Sequence, residues 1–381
     1  MAPTNDEVLE ALRAVQEPLL ERSLVDLGLV DATEVHRGGR IKVSIAEPTE
    51  DYPYRDQLRQ AVSASVGALD GVKDVQIDAR VLDDDGQERV RRLLIGDPEA
   101  TAGTQESHGH AEGRAIPFAD VGSKTRVLLI ASGKGGVGKS SVSANLAIAL
   151  AQRDKRVAIV DADVWGFSIP RMLGVTRPPI LIDRMLVPPE ANGVRCISMG
   201  FFAEEDTPVI WRGPMLHKAL EQFLTDVYWG DPDFLLVDLP PGTGDIAISL
   251  AGFLPRAEVY VVTTPQAAAQ KVAQRAAFMA EKVRLEVRGV IENMSWFTGD
   301  DGKRYEIFGA GGGQELADRL DVPLVGQVPL VPELRAGSDS GRPIAAEAPD
   351  SEAAAVFRAM AERIDTELAP TKRYHPELKI T

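Results

Sequence analysis

One cysteine, Cys196, stands in 381 residues. A single thiol permits no intrachain disulfide, and one copy of the chain cannot build a metal cage from cysteines alone. No run of about 18 apolar residues occurs, and the start, MAPTNDEVLEAL, lacks the basic-then-apolar pattern of a leader. The expectation is a soluble, cytoplasmic protein with no membrane partner. Basic residues are in the minority, 42 Lys and Arg against 57 Asp and Glu, for a formal net charge of −15. Such a surface repels phosphate backbones and anionic lipid, so no nucleic-acid partner is expected. No internal repeat of roughly 20–50 residues is present. What remains is ordinary: 44% hydrophobic and 26% charged residues, on a length that suits two or three domains.

The first 93 residues read as a small α+β domain. Val8, Leu9, Leu12 and Val15 have helical spacing, interrupted at Pro18, and residues 55–69 predict a second amphipathic helix. Ile41–Ile45 and Val72–Val81 alternate apolar with polar residues, the pattern of half-buried strands. Composition changes from Asp83 onward: a charge run at Asp83–Asp85, then the polar stretch 99–113, which holds His108 and His110. Residues 94–123 are read as a flexible linker and the two histidines as solvated. From 124 to 370, apolar runs (127–131, 157–160, 234–237, 259–262, 287–291, 322–325) alternate with helical segments such as 141–152, 271–282 and 352–368. Strands apolar on both faces, alternating with helices, predict an α/β fold with a mostly parallel sheet covered by helices on both faces. Residues 371–381 form a polar tail.

The strongest chemical signal is Gly133-Lys134-Gly135-Gly136-Val137-Gly138-Lys139-Ser140, which fits G-x-x-x-x-G-K-[ST] between an apolar strand and a helix. Glycines let consecutive backbone N–H groups turn onto phosphate oxygens, and the helix N-terminus adds partial positive charge. Lys139 is placed to reach the β- and γ-phosphates of ATP, and the Ser140 hydroxyl to ligate Mg²⁺. The domain is therefore expected to be a P-loop NTPase. Lys134, which the minimal motif does not require, is either a solvated lysine or a cation that reaches across a symmetric dimer to the partner's nucleotide.

Two apolar strands end in carboxylates. Asp161-Ala162-Asp163 follows one and Asp238 the other. Asp238 sits where an acid would hold Mg²⁺ through water, and Gly242 lies in a glycine-bearing loop able to swing its N–H onto a γ-phosphate. Asp163 is the candidate for orienting the attacking water. A helix-capping role is the alternative for both acids.

GKGGVGKS, DADVWGFSIP (161–170), WRGPMLHKALEQFL (211–224), DLPPGTGD (238–245), ENMS (292–295) and FGAGGGQELA (308–317) together resemble the Mrp/ApbC family of deviant-Walker-A ATPases. Residues 17–18, 23–30 and 69–72 resemble the small domain often fused to them. The resemblance implies a homodimeric, Mg²⁺-dependent ATPase that carries iron–sulfur clusters to apoproteins. It makes Lys134 the signature lysine, Lys139 the phosphate lysine and Ser140 a metal ligand. It places Asp163 in a first switch, Asp238 and Gly242 in a second, and Asn293 against the adenine, where an amide offers donor and acceptor to a base edge; a turn-capping asparagine is the alternative.

One departure bears on cargo. Where the family has a pair of cysteines spaced C-x-x-C, this chain has Gly299-Asp300-Asp301-Gly302. Two subunits pooling one Cys196 each offer two thiolates, short of the four a bridged [4Fe–4S] cluster takes. Asp300 and Asp301 read as a solvated turn, and Cys196 as a buried small hydrophobe. The alternative function is therefore an ATP-gated protein-interaction switch that handles no metal cluster.

Overall fold

The computed structural model describes residues 2–96, 115–163, 166–202, 213–242 and 245–370. The polar stretch 99–113 with His108 and His110, the tail 371–381, Thr243 and Gly244 lie outside the described residues.

Contacts group the chain into two units. The first contains the described part of residues 1–98 together with 180–187 and 226–230. Its three-stranded sheet pairs Val30–His36 antiparallel with Arg40–Glu47, which pairs parallel with Asp74–Val81. Ile41, Val43 and Ile45 face the core, and helices Asn5–Arg13 and Arg55–Gly67 bury Val8, Leu12, Leu58, Val62 and Val66 against it. The charge run at 83–85 turns out to start a helix, Asp84–Ile95: the Asp83 carboxylate accepts the Gly86 N–H at 2.9 Å, an N-cap, and Val90 and Arg91 are buried. The expected linker 94–123 is thus helical at its start, and near its end Pro117–Ala119 makes a short turn with Phe118 buried.

Two later stretches complete this unit's core. Ile180–Ile182 and Met185–Val187 form a hairpin, flanked in sequence by Pro178-Pro179 and Pro188-Pro189. Ile182, Met185, Val187 and Tyr228 share a core with Leu20, Leu24 and Val90. The Asp183 carboxylate accepts from Arg91 Nε at 2.6 Å, its N–H donates to Gln87 Oε1, and the Tyr228 hydroxyl donates to the Leu20 carbonyl at 2.9 Å.

The second unit is an eight-stranded sheet. From edge to edge its strands are Glu190–Ala191, Val194–Ser198, Val157–Asp161, Phe234–Asp238, Arg126–Ser132, Glu258–Thr263, Glu286–Asn293 and Leu324–Val328. All pairings are parallel except that of Glu190–Ala191 with Val194–Ser198. The central strands are buried along their whole length, as the apolar runs require. Helix Lys139–Ala151 lies in the core with Phe357, Met360 and Ile364 of helix Glu352–Asp365. Cys196 is in this sheet, paired with Ile159 and fully buried. The carboxyl ends of the parallel strands, where open α/β sheets bind ligands, bring Ser132, Asp161, Asp238 and Asn293 to one edge.

Candidate functional site

The phosphate-loop sequence runs from the strand Arg126–Ser132 into helix Lys139–Ala151, whose N-cap is Gly138. Gly136 and Gly138 have φ of +79° and +78°, the left-handed region that glycine enters without strain. Gly133 is glycine for a different reason. A Cβ there would lie 2.2 Å from the Val272 carbonyl carbon and 2.3 Å from the Ala273 nitrogen, inside helix Ala267–Lys282. Gly133→Ala is expected to cost about 3 kcal/mol because rigid backbone must move, whereas Gly136→Ala, with nothing within 4 Å, costs about 1 kcal/mol from φ alone. Urea denaturation of the two variants checks this order.

Behind the loop, three side chains converge on Asp238, which is fully buried at the end of its strand. Lys139 Nζ and the Ser140 hydroxyl both reach Oδ2, at 2.5 and 2.6 Å, and the Ser143 hydroxyl donates to Oδ1 at 2.5 Å. Ser143 is absent from the residues expected at the site. It lies three residues beyond Ser140, so one helical face carries both hydroxyls, and that spacing was available in the sequence. A lysine, a hydroxyl and a carboxylate meeting behind a glycine-rich loop at a helix N-terminus suit a Mg²⁺–nucleoside triphosphate, since Ser140 and Asp238 already face each other as a ligand pair would.

Asp161 is paired in register with Asp238 on the neighbouring strand. Burial, and secondarily the Asp238 charge, push its pKa up to about 7. Asp163, two residues on, is itself largely buried, and its N–H donates to Asp161 Oδ1.

Lys134 is half-buried, and its Nζ lies 3.4 Å from Gln266 Oε1, just before helix Ala267–Lys282. Gly242 has φ +101°, and its N–H is given to the Ser132 carbonyl at 2.9 Å. Asn293 is buried and donates from Nδ2 to the Val137 carbonyl at 2.9 Å, which braces the phosphate loop, while its Oδ1 is buried without a partner. One amide thus holds the loop through its nitrogen and keeps an acceptor for something else. Glu292 is a further buried acid beside it: it accepts the Gly313 N–H at 2.5 Å and Gln327 Nε2 at 2.8 Å, tying the strand Glu286–Asn293 to helix Gly312–Leu320. No periodicity in the sequence marks it.

The segment after Ser295 folds as a small hairpin, Phe297–Thr298 against Arg304–Tyr305. Arg304 stacks over the Trp296 ring at 4.1 Å, and Glu352 accepts from Trp296 Nε1, Thr298 Oγ1 and Arg304. Tyr305 donates to Asp301 at 2.9 Å, and the Gly302 N–H closes the turn on the Gly299 carbonyl. A Cβ at Gly299 would lie 2.8 Å from the Tyr305 ring. This turn has no thiolate, and its carboxylates are hard oxygen donors, so the residues present do not fit a cluster bridged here. Cys196 does not substitute: burial, then the Asp161 charge, raise its pKa well above the ordinary thiol range. Among the described residues no group of three or more His, Cys, Asp or Glu is placed to hold a metal ion, and no helix is long and apolar enough to cross a membrane.

Residues 123–365 match the ParA-group family described as the NUBPL iron-transfer P-loop NTPase, and residues 5–79 match the family described as iron–sulfur cluster assembly protein. An iron–sulfur cluster carrier protein of Mycobacterium leprae is 46% identical over 356 residues, covering 92% of this chain and 90% of that protein. One from Bacillus subtilis is 41% identical over 327 residues, covering 85% and 88%. Among solved structures, a nucleotide-binding protein of Archaeoglobus fulgidus in complex with ADP, in which cobalt was found, superposes with a TM-score of 0.53 at 33% identity, over 61% of this chain and 93% of that one.

Proposed function

The chain belongs to the iron-transfer P-loop NTPase family, and from that premise we propose that it is a Mg²⁺-dependent ATPase, working as a cytoplasmic homodimer on client apoproteins in iron–sulfur cluster delivery. The observation that carries the reading is the convergence of Lys139, Ser140 and Ser143 on Asp238 directly behind the phosphate loop.

Chemistry would be in-line attack of water on the γ-phosphate, with the protein supplying position and charge. Amides of Gly133 to Lys139 cradle the phosphates, and Lys139 exchanges its hold on Asp238 for the β- and γ-oxygens. Mg²⁺, held by Ser140 and through water by Asp238, would neutralise phosphate charge. Asp163 orients the attacking water. The Gly242 N–H, here given to the Ser132 carbonyl, has the γ-phosphate as its other partner, so the segment 238–242 can act as a switch. Lys134, held to one side by Gln266, serves the partner subunit's nucleotide. Asn293 Oδ1 is the free acceptor for the base.

The second reading, an ATP-gated protein-interaction switch that holds no cluster of its own, is favoured by the thiol-free hairpin 297–305. Anaerobic reconstitution with iron and sulfide, followed by desalting, separates the two. ATP hydrolysis with no iron retained by the purified chain is the outcome the switch reading expects. About four irons per dimer with thiolate-to-iron absorption would sink the switch reading and send the search for ligands to Cys196.

A further inference from the structure

The chain on both sides of Asp163 is tied to one carboxylate. Asp161 ends its strand fully buried. Its Oδ1 accepts the Asp163 N–H at 3.2 Å. Its Oδ2 accepts the Ser168 N–H at 3.0 Å, the Ile169 N–H at 3.2 Å and the Ser198 hydroxyl at 3.0 Å. Helix Ile169–Leu173 has no cap from the Ser168 side chain, so Asp161, eight residues upstream, supplies the acceptor its first amides lack. Ser198 ends the neighbouring strand Val194–Ser198, so three separate pieces of backbone are referenced to one group. Four donors occupy this carboxylate, which leaves it saturated by protein. A carboxylate buried next to Asp238 is a costly way merely to finish a strand; a rigid reference point for the residue between its two attachments is a use that justifies the cost.

We infer that Asp161 is a positioning residue for hydrolysis: without touching the nucleotide, it holds the backbone before and after Asp163 so that the Asp163 side chain faces the attacking water. The inference rests on the ATPase reading above. It predicts a particular split of kinetic constants. Ground-state binding belongs to the phosphate loop and is spared, while the geometry of attack is lost, so the loss falls in kcat.

The test uses full-length protein. Asp161→Asn has the same shape but one acceptor oxygen, so it cannot serve both attachments. Its kcat is expected to fall about 30-fold, with KM and the Kd for Mg-ATP within about twofold of wild type. Ser198→Ala removes one donor and leaves the amide contacts; its kcat falls about threefold at unchanged KM. Should Asp161→Asn fail to fold, Ser198→Ala decides alone. Unchanged kcat in a folded variant overturns the inference, and so does a parallel fall of kcat and affinity, which marks collapse of the phosphate loop rather than misaimed attack. Wild-type protein that binds Mg-ATP and never turns it over removes the ATPase reading and the inference together. Wild-type turnover matched by Asp161→Asn removes the inference alone.

Discussion

Lys139→Ala abolishes nucleotide binding, with the affinity for Mg-ATP expected to fall at least about 100-fold, because charge-assisted hydrogen bonds to two phosphates are each worth about 1.5–3 kcal/mol. The same substitution also destabilises the fold. Lys139 is buried with its Nζ 2.5 Å from Asp238, and removing it leaves a buried carboxylate with only the two serine hydroxyls. Breaking a buried pair from one side costs about 3 kcal/mol or more. The two effects separate in the double variant Lys139→Ala/Asp238→Asn, which removes both charges. Its stability is expected to return most of the way to wild type while nucleotide binding stays lost. Isothermal titration with ATP and urea denaturation, run on both proteins, give the two readouts. Binding that returns with stability would mean Lys139 only holds Asp238 in place.

Lys134→Ala leaves binding within about threefold of wild type and lowers kcat about 1,000-fold, the scale of a cation supplied in trans to the transition state. The physical ground is the position of the side chain. Its Nζ is drawn toward Gln266, at the start of the helix packed on Gly133, and not toward Asp238, where Lys139 lies. Mixing subunits gives a sharper test. Lys134→Ala binds nucleotide and lacks the reaching lysine; Lys139→Ala has that lysine and binds none. An equal mixture is expected to recover about a quarter of wild-type turnover, since about half the dimers pair one of each and hold one working site. Equal loss of binding in the two single variants, or no recovery on mixing, overturns the trans role.

Much of the nucleotide domain was legible because its signals are local. A strand buried on both faces must be apolar throughout, and a loop of backbone amides must be glycine-rich, so residues 127–140 announce themselves. The rest depends on pairings distant in sequence. Asp83–Asp85 reads as a charge run, and only the Gly86 N–H donating to the Asp83 carboxylate and Val90 facing the core turn it into a helix. Asp161 is visible as a strand-end acid, while its bonds to amides seven and eight residues later leave no periodic mark. Asn293 reads as a base contact or a turn cap, and its bond to Val137 emerges only when the strand Glu286–Asn293 ends level with the phosphate loop, one strand removed from the strand that leads into it. Gly299 and Gly302 told what was missing, without telling that Glu352 pins the hairpin in its place.

The first unit takes Ile182, Met185, Val187 and Tyr228 into its core, and these residues lie beyond the phosphate loop in the chain. During synthesis the amino-terminal portion therefore leaves the ribosome incomplete. At about 5–20 residues per second, it waits on the order of ten seconds for Tyr228 to follow. Until then Arg91 has no Asp183 and the Leu20 carbonyl has no tyrosine hydroxyl. A gene encoding only the amino-terminal 98 residues would yield that same unfinished intermediate as its end product. A circular permutant that begins near residue 175 would deliver the hairpin first and remove the wait.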